Sequence, residues 1–212
     1  MKRIGIISAF DPHTDRKAHS GILFKINEAI ENAGFETVWV KNPVPQSYRL
    51  LCKFQTLINL LGIKKHIYLN YTKFGAKLLA STIDRTEAEK CDYLMVLHHF
   101  QVPAYFKTRI PIIYHSDATF ELANNYYIHN LPQWNIKHGN EIEQLALNNS
   151  AFHLSSSVWR QKSLVETYHQ SKDKCFVLEY GPCVEVPGAS PKGTASNPLR
   201  LFFSGVVWER KG

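Results

Sequence analysis

Two short apolar runs deliver titratable side chains at their ends. Asp92 to His98 (DYLMVLH) finishes in His98-His99, and Pro111 to Tyr114 (PIIY) runs into His115-Ser116-Asp117. Both runs have the length and β-branched, apolar content of buried strands. The histidines therefore fall at carboxyl ends of strands, the edge where parallel sheets bind ligands. Imidazole and carboxylate are zinc ligands in kind. There is no HExxH, however, and no cysteine adjoins His98, His99, His115 or Asp117, so no metal motif is present and no metal is expected. A polar or catalytic role facing a cleft suits these residue types, since imidazole can donate, accept or carry a proton. For His98, a plain hydrogen bond at a strand end is a competing reading. Asp117 could orient the His115 imidazole or cap the following turn; both readings stay open.

The first thirty-odd residues set the frame that must hold those side chains. Lys2 to Ser8 (KRIGIIS) reads as a buried strand, and Ala9 to His19 as a polar loop. Ser20 is a good helix N-cap, followed by Gly21. Ile22, Leu23, Ile26, Ala29, Ile30 and Ala33 share one helical face. Gly34 closes that helix and Thr37 to Lys41 is the next strand. Strand, loop, helix, turn and strand form a βαβ unit, which predicts an α/β, Rossmann-like parallel sheet flanked by helices. The loop ending at Gly21 offers free N–H groups at a helix start, suited to phosphate or carboxylate. The loop has neither GxGxxG nor GxxxxGK[ST], so a simple cap and an anion site are equal readings.

The chain has 212 residues, 44% of them hydrophobic and 20% charged, which is ordinary globular composition. Its four cysteines show no CxxC pairing, as expected of reduced thiols in a cytoplasmic protein. The N-terminal apolar run is too short for a signal peptide, and no stretch approaches a transmembrane length. The formal charge of +7 is confined to one stretch. Residues 37–83 contain no Asp or Glu but seven basic residues: Lys41, Arg49, Lys53, Lys64, Lys65, Lys73 and Lys77. Within it, Leu50, Leu51, Phe54, Leu57, Ile58 and Leu61 keep a helical rhythm, and a second helix is expected from about Lys64 to Ser81. Basic amphipathic helices lie on anionic membranes. The alternative is a helix whose apolar face joins the core. Arg49, Lys53, Lys64 and Lys65 are the candidate patch for a membrane or acceptor. No nucleic-acid motif accompanies them, so nucleic acid is not an expected partner.

Further along, Phe120 to Tyr127 reads as a mobile, partly helical segment and Glu141 to Asn149 as a helix. Ala151 to Ser155 is a short strand, Ser157 caps a helix reaching His169, and Cys175 to Glu179 is another strand. These elements complete a first domain over residues 1–187. Residues 188–198, rich in Pro, Gly, Ser, Ala and Thr, read as a linker. Residues 199–212 begin with a strand (LRLFFS) and a glycine loop, expected to be the opening of a second domain.

The segment LRLFFSGVVWERKG resembles the first strand and loop of the donor-binding domain in retaining glycosyltransferases of family 4, which have the GT-B fold. SGILFKINEAIENAG is similar to the first helix of a bacterial subgroup of that family that carries WERKG. RIPIIYHSDATF and SSSVWRQKSLVETYHQSKDKCFVLEYGPCVEVP resemble two further segments of the same subgroup. The resemblance implies the N-terminal, acceptor-binding domain of a two-domain hexosyltransferase. Such an enzyme moves a sugar with retention from a nucleotide-sugar donor to a glycan or lipid-linked acceptor. It implies no metal or cofactor, a cytoplasmic site, and inactivity of a chain that ends before the donor lobe is complete. By the same resemblance His115 matches a histidine near the donor sugar. Gly21 matches a glycine near the diphosphate, and Lys211 a diphosphate-binding lysine. The family's arginine position holds Val206, with Arg210 able to stand in. Ser20, His99 and Asp117 are expected as sugar or acceptor contacts. The chemistry is coherent: the transition state is oxocarbenium-like, and cations and helix N-termini stabilise the leaving diphosphate. The alternative is a non-catalytic module that binds a membrane surface or a nucleotide.

Overall fold

The computed structural model describes residues 1–60, 65–181 and 183. Six strands, all paired in parallel, form one sheet: β1 (Arg3–Ser8), β2 (Glu36–Lys41), β3 (Tyr93–Leu97), β4 (Ile112–Ser116), β5 (Phe152–Ser155) and β6 (Cys175–Val177). Their order across the sheet is β2-β1-β3-β4-β5-β6. The helices are α1 (Ile22–Asn32), α2 (Gln46–Leu60), α3 (Lys73–Ala80), α4 (Arg85–Ala88), α5 (Gln101–Tyr105), α6 (Phe120–Ala123), α7 (Gln133–Asn149) and α8 (Val158–Glu166). This is the α/β, Rossmann-like arrangement that the βαβ pattern predicts.

Alternation along β1 and β3 splits the core in two, because successive side chains leave a strand on opposite faces. Ile4, Ile6, Met95 and Leu97 meet Leu23 of α1 on one face. Ile7, Val40, Leu94, Val96 and Ile112 meet Ala80, Ala88, Val102 and Phe106 on the other. On that second face Tyr114, Phe120, Ile142, Ala146 and Leu164 extend the core towards β5 and β6. The central strands are buried on both faces, which explains why they read as unbroken apolar runs.

Three elements differ from expectation. The helix expected over 64–81 is only α3, preceded by a turn at Leu69–Tyr71. Thr72 ends the extended stretch and accepts the Gly75 N–H on its Oγ1 (3.0 Å), so the helix starts there. The Leu69 carbonyl lies against Gly75, where a Cβ would be only 2.0 Å from that oxygen. The helix expected at 141–149 begins eight residues earlier, after Pro132 at its N-cap (φ −67°). Its first two turns (QWNIKHGN) are polar and hide the apolar period. A five-residue helix, α5, follows His98-His99 and contains Pro103. Ser157 does cap α8, accepting the Arg160 N–H (3.4 Å), but the helix ends at Glu166 rather than His169. The linker and second-domain strand expected over 188–212, with Lys64, Arg210 and Lys211, lie outside the described residues.

Side-chain amides fasten the connection that precedes α3. Asn135 of α7, fully buried, accepts the Tyr68 N–H (2.9 Å) and donates to the carbonyls of Tyr68 (3.2 Å) and Tyr71 (2.8 Å). Asn59 makes a two-way pair with Ile67, at 3.1 Å each way, and Gln55 accepts the Leu69 N–H (2.7 Å). Removing Asn135 would orphan three partly buried backbone groups, each costing about 1 kcal/mol. Asn135→Ala should therefore lower the unfolding free energy by about 3 kcal/mol in urea titration. A change below about 0.5 kcal/mol, the usual range for surface positions, would show that the clasp is dispensable.

Candidate functional site

The strand order reverses direction at β1. The chain steps from β1 outward to β2, then returns to lay β3 on β1's other side. Loops leaving the carboxyl ends of β1 and β3 therefore part from each other, and a crevice opens between them. The β1 loop is folded by its own carboxylates. Asp11 accepts the His13 N–H (2.9 Å) and the Thr14 hydroxyl (2.9 Å); Asp15 accepts the N–H groups of Lys17 (2.8 Å) and Ala18 (2.9 Å). The chain then passes through three consecutive left-handed residues, His19 (φ 51°), Ser20 (φ 58°) and Gly21 (φ 86°). Gly21, not Ser20, is the N-cap of α1, and no side chain bonds to that helix start. The expected Ser20 cap is thus corrected: in the left-handed region its hydroxyl does not cap the helix. The first turn of α1 is left without a side-chain acceptor.

Across the crevice, His98 also has a positive φ (60°), in a tight turn closed by the His99 N–H donating to the Leu97 carbonyl (2.8 Å). Left-handed non-glycine residues are costly and gather at functional sites. Two of them, His19 and His98, face each other here. The His19 ring lies 5.2 Å from that of His98 and 5.5 Å from that of His99, with Phe10 edge-on to it at 6.3 Å. His98 is gripped on both sides of its ring: Nδ1 is 3.4 Å from Asp117 Oδ1, and Nε2 is 3.3 Å from the Tyr180 hydroxyl. That bond, ahead of the cost of burial, holds the Asp117 carboxyl below its usual range. Asp117 therefore orients His98, not His115, and the cap of the next turn is Thr119, which accepts the Leu122 N–H (3.4 Å). Both sequence readings of Asp117 are corrected by this geometry.

His115 ends up beneath a lid. Tyr180, three residues past β6, folds back over it with ring centroids 4.8 Å apart, and the imidazole is fully buried. Neither ring nitrogen has a well-formed hydrogen bond among the described residues. Burial, and then the charges of His98 and Arg160, push its pKa down to about 4, so it is neutral near pH 7. It lines a cavity of about 320 Å³ between α1 (Ile22, Ile26) and the segment carrying Leu178, Tyr180 and Cys183. The expectation of an imidazole open to the cleft is thus modified: the ring sits at the right edge, but Tyr180 covers it. His99 is open to solvent on one side and crowded on the others. Desolvation of its ring by neighbouring atoms, and then the charges of His19 and His98, lower its pKa.

A second cavity, about 210 Å³, runs behind His98 and Asp117, lined by Tyr71, Phe100, Tyr114 and Glu143. Burial raises the Glu143 carboxyl to about 7, with the Arg160 charge pulling the other way. A larger cavity of about 510 Å³, beside Arg85 and the chain from Phe106 to Ile110, lies at the opposite end of the strands, away from the histidines. Among the described residues no three His, Cys, Asp or Glu side chains converge as metal ligands would. His19 and Tyr180 escape sequence reasoning because both come from irregular segments that only the fold carries to this edge. Arg49, Lys53 and Lys65 lie on or just beyond α2 and do not join the cluster.

No family profile matches the chain, and no curated protein matches it by sequence. Several solved structures are similar in part, two of them as follows. One is the "S. aureus MnaA-UDP co-structure": TM-score 0.48, 15% identity, covering 84% of this chain and 43% of that one. The other is the UDP-GlcNAc 2-epimerase from Neisseria meningitidis bound to UDP-GlcNAc: TM-score 0.46, 13% identity, covering 84% and 45%. The chain spans less than half the length of either.

Histidines held neutral by burial make the fold acid-sensitive. His115 and His153 both titrate at about 4 when folded and near 6.5 when unfolded. Below pH 6.5 the unfolded chain takes up protons that the fold refuses, so stability is lost as pH falls towards 4. Each ring contributes on the order of 3 kcal/mol. Glu143 acts oppositely: its raised pKa means stability lost as pH rises from about 4.5 to about 7. The two rings outweigh it. The urea midpoint should drop between pH 6.5 and 4.5, and His115→Gln should remove most of that net slope, because His153 and Glu143 then nearly cancel. A midpoint flat over that range would refute the buried, neutral state of both rings.

Proposed function

We propose that this chain is the acceptor-side lobe of an enzyme that transfers a sugar, with retention, from a nucleotide-sugar donor to a glycan or lipid-linked acceptor, as family 4 glycosyltransferases do. The observation that carries the reading is the cluster of His19, His98, His99 and His115 at the switch point of a parallel sheet, next to the uncapped start of α1. A neutral imidazole both donates and accepts, which suits sugar hydroxyls. The His98 ring, with both nitrogens engaged by Asp117 and Tyr180, is a fixed wall beside which His19 and His99 can meet such a group. Developing negative charge on a leaving diphosphate would be met by the N–H groups that follow Gly21. Lys211 and Arg210, by the sequence resemblance, would add cationic charge there. The substrate is the nucleotide sugar itself, and the reading calls for no further cofactor. The four cysteines, none bonded to another, fit the cytoplasm.

A nucleotide-binding module without catalysis is the second reading, favoured by the Tyr180 lid over His115. Saturation-transfer NMR on the 212-residue chain separates the two, using nucleoside diphosphates, nucleotide sugars and neutral oligosaccharides. The transferase reading expects signals from sugar protons, weakened about tenfold in affinity by His19→Ala, the loss of about one good hydrogen bond. Signals from the base and ribose alone, with no sugar contact, would support the module instead. No signal from any of the three classes at millimolar concentration would overturn both.

A further inference from the structure

α2 leaves much of its apolar surface outward. Its protein-facing side carries the half-buried Tyr48, Leu51 and Cys52 with Gln55 and Asn59, the amides that bind Leu69 and Ile67. Its opposite side carries Leu50, Phe54, Leu57 and Ile58, all exposed; Phe54 and Leu57 each show 56% of their surface. None of its fifteen residues is buried. A helix that stood merely on the protein surface would turn this apolar stripe inward. Sequence periodicity allowed that outcome, and the coordinates exclude it for these residues.

Charge says what covers the stripe. Arg49 and Lys53 emerge on the same outward side, and Lys65 follows the helix. No ion pair joins any of the three among the described residues. The whole of residues 37–83 is free of Asp and Glu. At 1.5 Å per residue α2 is about 22 Å long, shorter than a bilayer core. No helix among the described residues is long and apolar enough to cross a membrane. An apolar stripe flanked only by cations, on a short helix, matches an anionic lipid surface, with the helix axis lying in its plane.

We infer that α2 docks this chain on anionic membranes, inserting Leu50, Phe54 and Leu57 below the headgroups while Arg49 and Lys53 meet lipid phosphates. The inference is independent of the sugar-transfer reading, and its test uses no nucleotide or sugar. The full chain is floated with vesicles of phosphatidylcholine alone or mixed with phosphatidylglycerol. It should float with the mixed vesicles and be released by salt. Phe54→Ser combined with Leu57→Ser should weaken binding by about tenfold or more. Arg49→Glu combined with Lys53→Glu should do so by a similar factor. All four side chains are exposed, so melting curves should stay unchanged. Failure of the wild-type chain to float with mixed vesicles at low salt would overturn the proposal. So would equal flotation with neutral vesicles, or a dimer in sedimentation that Leu57→Ser dissolves, which would give the stripe to a second copy.

Discussion

The parallel pairing of β1 with β3 is the constraint on which the site depends. It sets Ile4 beside Tyr93 and Ile7 beside Val96, so both strands end at the same level. From that edge one loop runs towards α1 and the other towards α5, and the gap between them exists because they leave in different directions. β4 then registers on β3, with Leu97 opposite His115. The next residue donates its N–H to the His115 carbonyl as the last bond of that ladder and then turns with positive φ, which aims the His98 ring at His19 and Asp117. One ladder of backbone hydrogen bonds thus brings together residues from four separate stretches of chain.

Polar groups inside this fold are arranged rather than excluded. Arg160 is fully buried, donates to the Leu154 carbonyl (3.0 Å) and Ser155 Oγ (3.2 Å), and stacks its guanidinium on Tyr114 at 4.8 Å. Its charge depresses His115 and His153 and opposes the rise at Glu143. A cation fixed beneath the β4–β5 edge is therefore part of why the site's imidazole is neutral. Breaking such an arrangement is costlier than never having built it, since a lone buried charge remains.

The region after β2 shows the opposite economy. There the chain uses amides from Gln55, Asn59 and Asn135 to tie down a stretch with little regular structure of its own, and leaves apolar side chains outside. Amides satisfy backbone groups that water would otherwise have to reach. This frees α2 from the usual requirement that its greasy side supply the adhesion.

Much of the architecture is written locally. β-branched runs of five or six residues announce β1, β3 and β4, and Gly34 closes α1 in the left-handed conformation the sequence calls for (φ 87°). Parallel pairing followed from strand, helix and strand in succession, and so did the edge at which His98, His99 and His115 would lie. The sequence does not reveal that His19 and Tyr180 join them. Nor does it say that Asp117 serves His98 instead of His115, or that α2 faces its apolar side to solvent. Periodicity reports that a helix has two unlike sides, but not which one meets protein. Side-chain partners across 19 to 180 are set by strand register and by where irregular chain crosses the sheet edge. Those are properties of the assembled fold, because the contacts that decide them are made by residues far apart in sequence.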